Sequence, residues 1–211
     1  MTLANLRALG TMQRLEPGQP IFHEGDPVRR VFMLANGSLK IYTLLADGRR
    51  QITGFMFPGD FLGISIDDEY AFTAEALVGS ELWWFTRDAF DRFVDDNPKV
   101  ERELYRLAAH ELAAAQSQMV LLGRKTAAER LASFFLSLIK RQELVAGEKQ
   151  AAFDLPMNRL DIADYLGLTK ETVSRMLAEL RNRKLIRLAS QDRIEIIDRA
   201  GLHEMAEGFG Q

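Results

Sequence analysis

Glu171, Ser174 and Arg175 lie three and four residues apart in the run Thr169-Lys170-Glu171-Thr172-Val173-Ser174-Arg175. On a helix those steps gather the three side chains on one side of its first turns. That is where a helix laid in the major groove of DNA touches base edges. Arg175 could grip guanine O6 and N7 together. Glu171 could accept from a cytosine amino group, and Ser174 could serve either role or approach a thymine methyl. A Glu–Arg pair four residues apart is also a common surface ion pair, worth about 0.2–0.5 kcal/mol. An acid beside phosphates is a liability, however, unless it reads a base. Around this trio, Lys170, Thr172, Arg181 and Arg183 could hold phosphates, as could the helix N-terminus at Thr169.

The neighbouring residues supply the elements that must position such a trio. Asn158 is placed to cap a short helix with Leu160, Ile162, Ala163 and Leu166 turned inward. Gly167 follows, where a tight turn between helices needs positive φ. Thr169 then caps a second helix whose Val173, Leu177 and Leu180 face the core. The small Ala163 four residues before the glycine lets the two helices cross closely, which completes a helix-turn-helix pattern. Beyond it, Leu185–Leu188 and Arg193–Ile197 flank Ser190-Gln191-Asp192 as a β-hairpin wing, with Arg187 and Arg193 as candidate backbone contacts.

Upstream, residues 12–86 read as all-β, with short apolar runs separated by glycine turns. Asn36-Gly37 and Asp47-Gly48 predict type I′ hairpins. Asn97-Pro98 starts a long helix in which Tyr105, Ala108, Leu112, Ala115, Met119 and Leu122 recur in heptad steps. Such a stripe predicts a homodimer seam, with Leu104 and Leu107 facing the β domain. Gly123 is expected to end that helix. Thr126 and Glu129 form a capping box for the next one, which should run to about Lys140 before a polar loop at 145–150 and a strand at 152–155. The resulting division is a β domain over 1–96, a dimerisation helix over 97–123 and a DNA-binding domain over 124–211.

Composition narrows the alternatives. The 211 residues are 47% hydrophobic and 27% charged, ordinary for a globular chain, and none is cysteine. That removes disulfides, thiolate zinc sites and cysteine-held iron–sulfur clusters. No apolar run suits a membrane span and the first residues lack a signal-peptide pattern, so a cytoplasmic protein is expected. Residues 124–199 hold 15 Lys/Arg against 11 Asp/Glu, while the rest holds 12 against 19. A basic C-terminal part beside an acidic N-terminal part suits a nucleic-acid-binding domain joined to one that does not bind. No nucleophile–base pair, metal-ligand spacing or phosphate loop is present, so no enzyme is expected. A ligand-sensing module that acts on a protein partner is the rival reading.

With those motifs in place, the whole chain resembles the CRP/FNR superfamily of bacterial transcription regulators, and Arg159–Arg175 resembles its FNR/FixK branch. The resemblance implies an α+β architecture: a cyclic-nucleotide-binding-type β-barrel (jelly roll), a long dimer helix and a C-terminal winged helix-turn-helix. It implies that Glu171, Ser174 and Arg175 read a TTGAT half-site within a TTGAT-N4-ATCAA inverted repeat. RNA polymerase is the implied partner, and low-oxygen or nitrogen-oxide metabolism the implied regulon. Cyclic-AMP-binding members carry a Glu after the Gly-Asp-Phe turn and an Arg-Ser pair further on; here Ile64 and the region of Tyr70-Ala71 stand there instead. Neither cAMP nor an iron–sulfur cluster is therefore expected. What remains is either no effector or haem or another small ligand in the barrel, with His23, His110 and His203 as the histidines to weigh. Of Trp83-Trp84, one ring should pack the core and the other an interdomain surface.

Overall fold

The structure, a computed structural model, describes residues 3–65, 67–190 and 192–208. It is α+β, in two units, Met1–Leu112 and Ala113–Gln211.

The first unit begins with a short helix, α1 (Leu3–Arg7), and eight strands: β1 (Thr11–Leu15), β2 (Pro20–Phe22), β3 (Arg30–Asn36), β4 (Leu39–Leu44), β5 (Arg50–Met56), β6 (Phe61–Leu62), β7 (Thr73–Ala76) and β8 (Ser80–Thr86). They form two four-stranded antiparallel sheets, ordered β1-β8-β3-β6 and β2-β7-β4-β5, in a jelly-roll arrangement. The run Val31-Phe32-Met33-Leu34 is buried throughout because both faces of its sheet are covered. Phe32 and Leu34 point into the roll with Leu15, Phe22, Leu39, Ala74 and Leu82. Val31 and Met33 point outward, under Leu6, Phe90 and Phe93. Those two phenylalanines belong to α2 (Arg87–Asp95), a helix capped by Thr86 that hydrophobic periodicity had not marked.

Asn36-Gly37 is a corner, not a hairpin. β3 and β4 lie in different sheets, and among the described residues Lys184 is the one non-glycine with positive φ, which excludes a type I′ turn at Asn36 or Asp47. Gly37, at φ +90°, is needed for space as well, since a Cβ there would fall 2.7 Å from Ser80 Cα. Asp47-Gly48 does join two paired strands, β4 and β5, through a loop closed by Leu45 N–H to Arg49 O and Gly48 N–H to Leu45 O, both 2.8 Å.

α3 (Pro98–Arg124) runs for 27 residues and straddles both units. Gly123 lies inside it, so the helix ends one residue later than expected. Val100 and Leu104 pack on the outer-face cluster of the roll, whereas Leu107 is exposed. In the second unit, α4 (Ala127–Ala146) opens with the Thr126–Glu129 capping box and stops at the left-handed Gly147. It outruns the expected Lys140 and stops where the Gly147 N–H bonds Glu143 O.

The remaining elements are β9 (Ala152–Asp154), α5 (Arg159–Leu166), α6 (Lys170–Asn182), β10 (Ile186–Ser190), β11 (Arg193–Ile196) and α7 (Arg199–Glu207). The sheet order is β10-β11-β9, with Ile194 opposite both Leu188 and Phe153. Gln191, in the wing turn, lies outside the described residues. Phe135 of α4 packs tilted against Phe153 at 5.4 Å and Phe134 tilted against Tyr165 at 5.2 Å, which seats the sheet and α5 on the same helix.

The Glu143 carboxylate takes both outer nitrogens of Arg199 and the Gln150 N–H (3.0 Å), clamping α4 to α7. The guanidinium hydrogen bonds, then the Gln150 N–H, pull its pKa from 4.5 to about 2. A carboxylate whose folded pKa is depressed contributes stability that is whole above its unfolded value and lost as pH falls toward the folded one. Glu143→Gln should therefore lower the melting temperature at pH 7, and the gap to wild type should close between pH 4.5 and about 2. A gap that persists unchanged at pH 2 in thermal unfolding would count against the clamp.

Candidate nucleic-acid interface

α5 and α6 form the helix-turn-helix. Asn158 Oδ1 accepts from the N–H groups of Leu160 and Asp161 (2.8 and 3.0 Å), while Asp161 reaches back to Asn158 N–H (3.3 Å). That capping box buries Asp161 and turns Leu160 out, 49% exposed, so the inward set is Asp161, Ile162, Ala163 and Leu166 rather than the all-apolar one expected. Gly167 adopts φ +63° and its N–H bonds Ala163 O, which ends α5 and aims the chain into α6. Val173, Leu177 and Leu180 are buried as anticipated. Lys184, at φ +57°, closes α6, with Leu185 N–H returning 3.0 Å to Leu180 O.

The opposite face of α6 is open. Glu171 and Arg175 are exposed and Ser174 half-exposed. Glu171 and Arg175 make no ion pair among the described residues. Arg175 Nη2 donates to Thr172 Oγ1 (3.2 Å), and Thr172 Oγ1 lies 3.1 Å from Thr169 Oγ1. The Thr169 oxygen caps the Thr172 N–H (3.2 Å), and its hydroxyl helps lower the pKa of the Glu171 carboxyl. Thr169 and Thr172, expected as phosphate contacts, thus bond to each other in the free protein, and Thr172 to Arg175. Glu171's own N–H, then the Thr169 hydroxyl, hold its carboxyl below the usual range, and Lys170 and Arg175 add to this. It remains an acceptor at neutral pH.

Ser174 Oγ donates to Lys170 O (2.9 Å) and has Arg159 Nη1 at 3.5 Å. Arg159, the first residue of α5, is a cation at the reading face that the sequence pattern did not single out. Its signal was its place directly after the Asn158 cap. Lys170 and Arg181 are exposed on α6. Arg183 pairs with Glu179 (2.8 Å), Arg187 with Glu195 (2.7 Å) and Arg193 with Asp154 (2.8 Å).

Along α3, Tyr105, Leu112 and Met119 are 75%, 62% and 69% exposed, and Ala108 and Ala115 are exposed between them. Leu122 is half-buried, with its Cδ2 3.5 Å from where a Gly167 Cβ would stand. In the roll, Phe22 stacks on Tyr70 at 3.7 Å and meets Phe32 and Phe72, both at 5.7 Å. Trp84 packs on this interior cluster with Arg30 over its ring at 4.1 Å, whereas Trp83 joins the outer-face cluster. Both indoles, each half-buried, therefore pack on clusters of the first unit. Tyr70, in the region where cAMP-binding relatives carry the Arg-Ser pair, donates its hydroxyl to Arg30 O (2.8 Å). His23, His110 and His203 are exposed. Among the described residues no group of three His, Cys, Asp or Glu could hold a metal ion, and no helix is long and apolar enough to cross a membrane.

A jelly roll, a long helix and a winged helix-turn-helix with an open polar reading face define a DNA-binding transcription regulator rather than an enzyme. The cyclic nucleotide-binding domain family matches residues 12–97, and the Crp-like helix-turn-helix domain family matches residues 129–205. The nitrogen fixation regulation protein FixK of Bradyrhizobium diazoefficiens is 37% identical over 204 residues, covering 97% of this chain and 85% of that one. The transcriptional activatory protein AadR of Rhodopseudomonas palustris is 40% identical over 185 residues, covering 88% and 77%. The solved structure of FixK2 from Bradyrhizobium japonicum superposes with a TM-score of 0.85 at 35% identity, covering 93% and 96%. The chain belongs to the CRP/FNR family of transcription regulators, in its FixK-like branch.

Proposed function

We propose that this regulator works as a cytoplasmic homodimer that reads a TTGAT-N4-ATCAA-like inverted repeat and controls genes of low-oxygen or nitrogen-oxide metabolism through RNA polymerase. The observation that carries the DNA reading is the open α6 face, where Glu171, Ser174 and Arg175 gather on the first turns with no direct ion pair between the two charges. Thr169, Lys170, Thr172, Arg181, Arg183 and Arg187 are assigned to the phosphates. The exposed stripe Tyr105, Ala108, Leu112, Ala115 and Met119 supports the seam, with Leu122 at its C-terminal end. We divide the chain functionally into the roll (1–96), the dimerisation helix (97–123) and the DNA-binding part (124–211). The regulon rests on the resemblance to the FNR/FixK branch, and the FixK relative's printed name says only that it regulates nitrogen fixation.

Phe22 stacks on Tyr70 and meets Phe32 and Phe72 in the roll interior, and Ile64 and the Tyr70-Ala71 region stand where the resemblance places the groups that hold a cyclic phosphate. DNA binding is accordingly independent of cyclic nucleotide in this reading. Fluorescence anisotropy of the purified protein, with nothing added, tests it. The inverted repeat should bind at least about a thousandfold more tightly than a scrambled duplex. Equal affinity for the two duplexes would sink the proposal.

A further inference from the structure

We infer that Arg130 is a positioning residue: it locks the helix-turn-helix to the last turns of α3 and so sets the half-site spacing the protein accepts. Arg130 rides on the first turn of α4, half-buried. Its Nε donates to Lys125 O (2.9 Å), its Nη2 to Leu122 O (2.8 Å) and its Nη1 to Leu166 O (2.8 Å). The first two acceptors lie at the C-terminal end of α3 and the third closes α5. Carbonyls at helix C-termini lack intrahelical partners and carry the negative end of the helix dipole. One planar cation with five donors in a fixed fork satisfies two such ends at once and sets their relative geometry, which a compact ammonium on a flexible stem does less well.

Three further contacts converge on the same joint. Gln118 Nε2 donates to Tyr165 O (3.0 Å), one residue before the carbonyl that Arg130 holds. The Leu122 side chain fills the hollow beside Gly167, 3.5 Å from the site of its missing Cβ. Lys125 Nζ donates to Ala206 O and Ser133 Oγ, both 2.8 Å, and so ties in the end of α7. None of these groups faces the open side of α6, so binding to bases does not explain them. Their shared effect is to fix α5, and through the Gly167 turn α6, against the α3 axis. Where two α3 helices pair, the separation of the two reading helices follows from that one pose in each chain.

The spacing consequence rests on the dimer and inverted repeat proposed above; the lock itself does not. The test uses the full chain with duplexes carrying three-, four- or five-base spacers, and one with a single half-site. Wild type should prefer the four-base spacer. Arg130→Gln should lose about tenfold or more on that duplex, keep its single-half-site affinity and bind the three spacers nearly alike. Arg130→Lys should not restore the preference, and Gln118→Ala should shift it in the same direction by less. Equal losses on every duplex, or an unchanged spacer preference, would overturn the assignment.

A second measurement is independent of DNA and of dimerisation. The chain has no cysteine, so spin labels can be placed cleanly by Ser117→Cys on α3 and Asn182→Cys on α6, diluted with unlabelled protein. Wild type should give one narrow distance distribution, and Arg130→Gln a broad or displaced one. If the glutamine variant does not fold, Gln118→Ala carries both measurements. An unaltered distance distribution refutes the lock even if the inverted repeat turns out not to be the target. Failure of wild type on every specific duplex refutes the proposed function instead.

Discussion

Arg175→Ala is expected to cut affinity for the TTGAT-N4-ATCAA duplex from about thirtyfold to more than ~10,000-fold while changing binding to scrambled DNA far less. The range follows from ~1–3 kcal/mol for each bidentate arginine–guanine contact, taken twice because a symmetric dimer reads two half-sites. The effect sits at the high end if the guanidinium arrives already oriented, and the free protein provides for that. Arg175 Nη2 rests on Thr172 Oγ1, which is itself hydrogen-bonded to the Thr169 hydroxyl. The arginine therefore loses less rotamer freedom on binding than an untethered one would. Glu171, its pKa held down by its own N–H and by the Thr169 hydroxyl, stays an acceptor at neutral pH, as the proposed contact to cytosine needs. Anisotropy titrations of both proteins on both duplexes check the prediction. Parallel losses on specific and scrambled DNA would mean that Arg175 holds phosphate and not guanine.

Leu112→Glu is expected to convert the protein to a monomer without unfolding it. Leu112 lies midway along the Tyr105–Met119 stripe and is 62% exposed in the single chain, so its own fold invests little in that side chain. In a two-fold seam the substituted positions on the two chains come close together. Two carboxylates in an apolar stripe then pay desolvation and mutual repulsion, a penalty of several kcal/mol. Sedimentation equilibrium at micromolar chain should report the monomer mass, and circular dichroism an unchanged helix content. Affinity for the inverted repeat should fall to that for a single half-site. A variant that remains dimeric would place the dimer contact elsewhere on the molecule.

The reading head was legible because its signals are local. Thr169, Val173, Leu177 and Leu180 lie within twelve residues, and cap and helical period agree on one face. Asp161 was misjudged because two local rules competed: the period asked for an apolar residue, while the Asn158 cap needed an acid three positions on, and the cap won. Asn36-Gly37 failed for the opposite reason. The dipeptide promises a hairpin, yet β3 pairs with β6 and β8, and no short-range pattern announces partners that distant in the chain. α2 was overlooked although Thr86 and Asp88 mark its start, because nine residues give the helical period too few turns to stand out. The Arg130 joint was invisible for a deeper reason. Its acceptors are backbone carbonyls, which every residue has, so only the placing of three helix ends identifies it.

Three arginines, one at the end of α6 and two in the wing, bring their own counterions. Arg183, Arg187 and Arg193 each carry a carboxylate partner fixed to the same chain: Glu179, Glu195 and Asp154. A cation that keeps its tethered anion neutralises no phosphate, and so frees none of the sodium or potassium condensed on the duplex. The salt dependence of binding, whose slope is about −0.9 per phosphate neutralised on B-DNA, therefore counts the unpaired cations and not the arginine total. Of the cations assigned to the phosphates, Lys170 and Arg181, which have no carboxylate partner among the described residues, are expected to set that slope. The protein can hold its site through a rise in ionic strength that would strip a regulator with the same number of bare charges.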